Sequence, residues 1–294
     1  MASVYEIITQ KIIEQLEKGV IPWQKPWKQE RPRNISGRPY KGVNLLLLAK
    51  TPYSCPVWAT FKQISEKGGQ VKKGERSSIV VFHKPITKYV NSEGQELSEE
   101  DVAVLDESEY EEKTFWVLRY YNVFNLEQAT LEIRKYWEPK GNGVEPIERA
   151  EEIVNNMPNR PEILFQGQEA YYDVNRDQVV LPPRALFKSK ERYYETLFHE
   201  LAHSTGHEKR LNRKSLVEYA PFGSEKYSKE ELVAQIASAF LCAEAKIEFQ
   251  IDNFAAYCKG WLKQLNNNKK LIFFAASQAQ KAADYILGKG GTHD

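Results

Sequence analysis

His199, Glu200 and His203 form an H-E-x-x-H pattern, in which two histidines stand four residues apart with a glutamate beside the first. Residues four apart lie on one face of an α-helix, so both imidazoles can reach a single metal ion. A metal ion lowers the pKa of water, and a neighbouring carboxylate can then accept a proton from it. The pattern therefore predicts a zinc-dependent peptidase site with Glu200 as general base.

The residues around the pattern favour a helix. Residues 190–204 contain no Gly or Pro, and apolar residues recur there at helical spacing beside the histidine face. Catalytic zinc takes three protein ligands and keeps one position open, so a third ligand is required. His207 is one candidate, although Gly206 is expected to end the helix before it. The longer metallopeptidase pattern fails, because Lys209 stands where its third histidine would be.

A second predicted helix supplies two more candidates for the third ligand. It runs from Ser228 to Leu241, with Ser228 as N-cap and Glu231 at the capping-box position, directly before a buried apolar face. Glu231 is the favoured ligand, and the neighbouring Glu230 is an alternative. Glu231 could also serve only to cap the helix.

Motifs along nearly the whole chain match those of one protein family. In the C-terminal half they are Leu181-Pro182-Pro183, His199 to His207 with Arg210-Leu211, and Glu231 to Ala234. In the N-terminal half they are Ile21-Pro22-Trp23 with Pro26-Trp27, Gly37 to Asn44, Trp58 to Gln63, Gly74-Glu75-Arg76 and Tyr121 to Asn125. On these motifs the chain resembles the ArdC-like antirestriction proteins of conjugative plasmids and related mobile elements.

The resemblance implies an α+β protein of two domains. Residues 1–137 would form a mixed α/β domain that binds single-stranded DNA. Residues 146–290 would form a minimal zincin-like metallopeptidase domain that contains the H-E-x-x-H helix. The resemblance also implies a metal set, with zinc or manganese as the ion, made of His199, His203 and Glu231.

Charge is distributed very unevenly, although the net charge is only +1. Residues 1–90 carry 16 Lys/Arg against 6 Asp/Glu, whereas residues 91–113 carry 10 acidic residues against one lysine. Aromatic residues are interspersed in the basic block, and cations that contact phosphates beside rings that stack on bases are typical of single-strand binding. The predicted DNA contacts are Trp23, Trp27, Arg38, Tyr40, Lys41, Trp58 and Lys62.

The acidic segment, Glu93 to Glu112, lies between two β-like segments at 78–82 and 114–124. A long exposed connection between two hairpin strands is therefore predicted. A further hypothesis is that this segment folds back over the basic block and imitates phosphates.

The composition is typical of a globular protein rather than a membrane or secreted one. The chain has 294 residues, of which 41% are hydrophobic and 28% charged, as in a globular protein. No stretch approaches the ~18 apolar residues that a membrane helix needs, and the N-terminus lacks a secretory signal. Three widely spaced cysteines indicate reduced thiols. We expect a cytoplasmic protein with no membrane partner, and a domain boundary at the Pro- and Gly-rich residues 138–146.

Two functions are consistent with these features. The first is a metallopeptidase that binds single-stranded DNA and cleaves an unknown host protein. The alternative is a non-catalytic single-strand-binding shield that protects incoming DNA, with a structural metal domain. Glu200 favours the first, because a structural site needs no base beside an open coordination position. Gln235 stands where members of the family often carry an acidic residue, which leaves the ligand set intact.

Overall fold

The computed structural model describes residues 2–23, 30–49, 51–97, 102, 110–138, 146–213, 225–249 and 254–289. Within these ranges the α-helices are α1 (Val4–Glu17), α2 (Val43–Ala49), α3 (Phe61–Glu66), α4 (Pro146–Asn155), α5 (Lys190–Ser204), α6 (Glu225–Ala245), α7 (Phe254–Asn267) and α8 (Leu271–Ile286). The strands are β1 (Arg33–Asn34), β2 (Val57–Ala59), β3 (Ser78–Val90), β4 (Glu96–Leu97), β5 (Glu111–Asn125), β6 (Glu162–Phe165), β7 (Tyr171–Asp173) and β8 (Gln178–Leu181). This mixture confirms the predicted α+β class.

A five-stranded sheet with the order β1-β2-β5-β3-β4 organises the N-terminal half. β1 is parallel to β2, and the other neighbours are antiparallel. β3 and β5 pair without interruption from Ser78 opposite Val123 to Val90 opposite Glu111, and we call this pair the ribbon. Directly opposite residues share a face of the ribbon, and successive residues alternate between its two faces.

The base of the ribbon is fixed to helix α2 by Asn44. Its side-chain amide donates a hydrogen bond to the carbonyl of Val81 (2.8 Å), and its side-chain oxygen accepts one from the N–H of Val81 (2.7 Å). Both residues are buried. The side chain therefore replaces a missing strand partner for Val81 and holds the ribbon in a defined position against the helix.

In the C-terminal half, helices pack against a small sheet with the order β6-β8-β7. β8 is parallel to β6 and antiparallel to β7, so β7 is an edge strand. α5 contacts both β7 and β8, and α6 lies between α5 and α8. Among the described residues, no helix combines the length and apolar character needed to cross a membrane.

One hydrophobic core joins the two halves of the chain. Ile8 and Ile12 of α1 belong to the same buried cluster as Trp261 of α7. The Thr9 hydroxyl also donates a hydrogen bond to the carbonyl of Lys269 (2.6 Å). The first helix is thus packed against the C-terminal helices. Residues 139–145 lie outside the described residues, and the domain boundaries stay a prediction.

The predicted helix around the histidines agrees with the structure, whereas the predicted start of the Glu231 helix does not. The predicted helix 190–204 has those bounds. Ser228, however, lies inside α6, which already begins at Glu225, so the prediction that it is the N-cap is wrong. No Gly or Pro at 225–227 stops the helix from extending towards the N-terminus.

The ribbon is longer than the sequence predicts, although the hairpin pairing is confirmed. Residues 83–90 extend the first strand towards the acidic segment, and residues 111–113 extend the second strand into its end. Residues 83–90 pair with residues 111–118, which satisfies the backbone groups of both strands. Residues 98–101 and 103–109 lie outside the described residues, so the phosphate-mimic hypothesis stays a hypothesis.

Candidate metal centre

Helix α5 positions both histidines of the motif. Its first turn is capped by the Ser189 hydroxyl, which accepts a hydrogen bond from the N–H of Arg192 (3.3 Å). One face of the helix is buried in the core, through Tyr193, Tyr194, Leu197, Phe198, Leu201 and Ala202. The apolar face fixes the rotation of the helix about its axis, and His199 and His203 face Glu231 of α6 as a result.

Three ligand atoms from these residues form a compact group, in which all lie within 4.8 Å of one another. The Nε2 atoms of His199 and His203 are 3.1 Å apart. The carboxylate oxygens of Glu231 lie 3.3 Å from Nε2 of His203 and 3.6 Å from Nε2 of His199. Ligands at about 2.0–2.1 Å from a tetrahedral ion are separated by roughly 3.4 Å, so the donor set fits one divalent ion.

The Glu231 carboxyl is suited to bind a cation. Burial disfavours its charged form, but hydrogen bonds from His199 and His203 outweigh burial and lower its pKa well below the usual range. The Glu231 side chain is 8% exposed and that of His199 is 17% exposed. The group is therefore largely shielded from water and remains reachable beside His199.

A buried ion pair lies directly behind His203. Glu230 Oε1 lies 3.5 Å from Nδ1 of His203 and is also paired with the guanidinium of Arg213. Burial opposes ionisation of Glu230, yet the charge of Arg213 outweighs it and lowers the pKa to about 2. Arg213 donates further hydrogen bonds to Thr205 Oγ1 and to the Ala202 carbonyl (2.8 Å). The pair thus joins α6 to the end of α5 and faces the nitrogen of His203 that points away from Glu231.

Glu200 lies on the same helix, between the two histidines, and is only 7% exposed. Burial raises the pKa of its carboxyl, while the charges of His199 and His203 oppose the rise. The backbone of Tyr172 in edge strand β7 lies close to this carboxyl and also opposes the rise in its pKa. A carboxyl with a raised pKa accepts a proton more readily than an exposed glutamate does.

The structure also places the remaining candidate ligand. His207 follows the end of α5 at Ser204, as predicted from Gly206, and its Nδ1 accepts a hydrogen bond from the N–H of Lys209 (3.2 Å). It is not part of the three-residue group found among the described residues. Glu231, rather than His207 or Glu230, supplies the oxygen that faces both histidines.

A second polar cluster fixes the end of α5 to the β7–β8 hairpin. The Arg210 guanidinium donates hydrogen bonds to the Ser204 carbonyl (2.7 Å), to the Tyr172 hydroxyl (3.0 Å) and to Asp177. Burial raises the pKa of Asp177, but the hydrogen bonds from Arg210 and Tyr172 outweigh it and lower the pKa to about 2. The cluster therefore holds strand β7, which contains Tyr172, against the end of α5.

The predicted DNA contacts divide into buried rings and exposed cations. Trp23 and Tyr40 are each 4% exposed and Trp58 is 2% exposed, because all three fill hydrophobic clusters. The Trp23 ring, for example, packs edge-on against Trp261 with ring centres 5.3 Å apart. The prediction that these three rings stack on bases is therefore wrong.

The predicted cationic contacts remain available. Arg38, Lys41 and Lys62 are exposed, and Lys62 lies on α3 at 3.8 Å from Glu66. Trp27 lies outside the described residues. Their exposure is consistent with contacts to phosphates. These contacts stay a prediction.

Sequence reasoning missed the residues that support the metal centre. The sequence indicates Glu230 only as a possible ligand, and it does not indicate the contacts of Arg213 or Asp177. One feature of the sequence does indicate a second role for Glu230, namely that it is adjacent to Glu231. Neighbouring side chains on a helix point in directions about 100° apart, so only one of the two glutamates can face the histidines as Glu231 does.

Family models match both halves of the chain. Residues 2–124 match the model described as the N-terminal domain of anti-restriction factor ArdC. Residues 148–278 match the model described as a zincin-like metallopeptidase, MPTase-PolyVal. The metal group and Glu200 both fall in the second range.

Several relatives extend over nearly the whole chain. Two DNA primases TraC from Escherichia coli are each 34% identical over 96% of this chain, which spans 20% and 27% of their own lengths. The Sinorhizobium fredii protein y4eC is 32% identical over 97% of this chain and 91% of its own. The similarity therefore covers almost all of y4eC and a minor part of the TraC primases.

Solved structures give the same result at the level of the fold. The metal-free crystal structure of antirestriction protein ArdC from plasmid R388 has a TM-score of 0.75 at 34% identity, covering 97% of both chains. Its Mn(II)-bound structure has a TM-score of 0.75 at 31% identity, covering 100% of both chains. The chain belongs to the ArdC family of antirestriction proteins and contains a zincin-like metallopeptidase domain.

Proposed function

We propose that the protein is a metal-dependent peptidase that also binds single-stranded DNA and acts in antirestriction. One observation above all supports the peptidase: Glu200 is buried beside a group of three possible ligands, to which no fourth His, Cys, Asp or Glu belongs among the described residues. A structural site would be closed by a fourth protein ligand. The matching zincin-like family model supports the same reaction class.

The residues of the chain would divide the reaction among them. His199, His203 and Glu231 would hold the ion, zinc or manganese, which supplies a Lewis acid for the peptide carbonyl and for water. Glu200 would accept a proton from the attacking water and return it to the leaving amine. Glu230 would keep Nε2 of His203 directed at the ion by accepting the Nδ1 proton.

Edge strand β7 is the proposed binding surface for the substrate. This strand contacts helix α5, and the backbone of Tyr172 lies close to Glu200, so the strand passes close to the proposed base. An extended peptide can add to the edge of a sheet through backbone hydrogen bonds with little dependence on its side chains. We therefore expect an extended segment of a host protein as the substrate.

The proposed DNA binding depends on the N-terminal half. It is supported by the match to the ArdC N-terminal model and by the excess of Lys/Arg over Asp/Glu in residues 1–90. Exposed Arg38, Lys41 and Lys62 would contact phosphates. The alternative function is a shield that binds entering DNA without cleaving protein.

The experiment compares host cells that express wild type, Glu200→Gln or the exposed control Glu208→Gln. Glu200→Gln keeps the side-chain volume and removes the base, so we expect it to bind metal and to lose proteolysis. Proteomic comparison should show cleaved host peptides with wild type and Glu208→Gln only. Identical proteomes, with antirestriction undiminished in Glu200→Gln, would contradict the peptidase and support the shield.

A further inference from the structure

The two faces of the ribbon differ sharply in charge. β3 and β5 carry four Lys/Arg between Ser78 and Val90 and between Glu111 and Val123. Their register places all four on one face, which we call the basic face, because opposite residues share a face and neighbours alternate. From the base of the ribbon outwards, the basic face includes Tyr121, Phe82, Arg119, Lys84, Val117, Ile86, Phe115, Lys88 and Lys113, and it ends at Val90 and Glu111.

Acidic residues interrupt the basic face only at its tip. Glu111 lies there opposite Val90 and pairs with Lys113 (3.1 Å). Both partners are largely exposed, and such exposed pairs contribute only about 0–1 kcal/mol. Phosphates can therefore compete for Lys113, while Lys84 and Arg119 lie nearer the base of the ribbon.

Aromatic rings alternate with these cations. Phe82 is 41% exposed, Phe115 is 48% exposed and Tyr121 is 40% exposed. Phe82 packs between Tyr121 and the buried Tyr40, with ring centres 6.0 Å apart in both pairs. The buried ring thus supports an exposed one, and the exposed rings are held in position by the strands rather than by a mobile loop.

We propose that the basic face of the ribbon is the surface on which single-stranded DNA lies, with bases stacked on Phe82 and Phe115 and phosphates beside Lys84 and Arg119. The proposal rests on the proposed DNA binding and assigns its location. Rings with exposed faces between cations fit unpaired bases, whose π-faces are free, better than duplex DNA, whose bases are stacked on each other.

The dimensions of the basic face limit the length of strand that it can hold. From Phe82 to Lys88 the strand extends about 20 Å, at about 3.3 Å per residue. At 3.4 Å per stacked nucleotide this length accommodates at most about six nucleotides. Four cations would give a slope of log K against log salt of no more than roughly −3 from this surface.

The opposite face provides a matched control. Trp116 is adjacent to Phe115 in the same strand, is 66% exposed and points to the other side of the ribbon. Affinity for a fluorescent oligothymidylate is measured by anisotropy over a range of salt concentrations, with full-length wild type, Phe115→Ala, Trp116→Ala and Lys84→Ala/Lys88→Ala. Thermal unfolding confirms that each variant is folded.

Phe115→Ala should weaken binding about 5- to 150-fold at every salt concentration, the loss expected for one stacked base. Trp116→Ala should bind as wild type does. The double lysine variant should reduce the salt slope by about 1.4, since each phosphate contact contributes about 0.7.

Three results would overturn the proposal. Equal weakening by Trp116→Ala and Phe115→Ala would show that the two faces are equivalent. Wild-type affinity and slope in Phe115→Ala and the lysine variant would place the strand elsewhere, while the proposed DNA binding would stand. Equal affinity of wild type for single-stranded and duplex DNA, or no binding at all, would contradict the proposed DNA binding together with its location.

Discussion

The candidate metal centre consists of His199, Glu200, His203 and Glu231, and the ion pair of Glu230 and Arg213 packs against it. His199, Glu200 and His203 can be identified from their spacing alone, because an α-helix of 3.6 residues per turn places residues four apart on the same face. Glu230 and Arg213 cannot, since their contacts depend on how α6 packs against the end of α5. Gln235 replaces the acidic residue that is frequent in the family, but Glu230 still places a carboxylate beside Nδ1 of His203.

Glu230→Gln tests whether this carboxylate supports the metal ligand. Removing its charge weakens the acceptor for Nδ1 of His203 and leaves the three ligands in place, so metal affinity should fall about 10- to 100-fold. Competition with a fluorescent chelator measures the change, with Glu208→Gln as the exposed control. Equal affinity in Glu230→Gln and wild type would show that the ion pair serves only the packing of α6.

At the scale of elements, the end of α5 and the β7–β8 hairpin depend on one another. Arg210 bonds the last carbonyl of the helix and Asp177 of the hairpin, and its side chain is 1% exposed. Replacing a partner in such a network leaves a buried guanidinium partly unsatisfied. The position of Tyr172 therefore depends on Arg210, which is not one of the candidate metal ligands.

Asp177→Asn should destabilise the protein by about 1.5–3 kcal/mol near neutral pH, since it weakens charge-assisted hydrogen bonds to Arg210. The pKa of Asp177 is lowered to about 2 in the folded protein, against about 3.9 when unfolded. Its stabilisation is thus complete above the unfolded pKa and decreases as pH falls towards the folded pKa.

Urea denaturation of wild type and Asp177→Asn at several pH values measures this dependence. The difference in unfolding free energy should be largest near pH 6 and smaller near pH 3, values that are about one to two units either side of the unfolded pKa. A difference that stays constant or grows as pH falls would contradict the assignment of charge to Asp177.

Element prediction succeeded where one periodic pattern decides the outcome. The bounds of α5 follow from an apolar stripe without Gly or Pro. It failed at Ser228, where a good capping sequence lies inside a helix that continues past it. The outer ribbon was also missed, because polar residues form strands when a partner strand satisfies their backbone.

At the scale of the whole molecule, the N-terminal and C-terminal halves share one core. Aromatic residues in the basic block suggested a DNA surface, yet Trp23, Tyr40 and Trp58 fill hydrophobic clusters instead. Sequence alone cannot separate a buried ring from an exposed one when both are surrounded by charged residues. The exposed rings Phe82 and Phe115 became apparent only from the register of the ribbon.

A fragment of residues 1–137 tests the shared core. It retains α1 but lacks α7 and α8, so Ile8, Ile12 and Ile13 lose their partners in the cluster. Each buried apolar side chain contributes about 1.5–3 kcal/mol by burial, and we expect the fragment to unfold without the cooperative transition of the full chain. Circular dichroism during heating measures this. A sharp transition in the fragment would show that the N-terminal half folds alone.

The metal content of purified variants tests the central claim most directly. Wild type and Glu200→Gln should each bind one divalent ion per chain, because Glu200 is the proposed base and not one of the proposed ligands. His199→Ala, His203→Ala and Glu231→Ala should each lose most of the ion, as measured by elemental analysis after equilibration with zinc or manganese. Full occupancy in Glu231→Ala, together with loss of the ion in His207→Ala, would contradict the assigned ligand set.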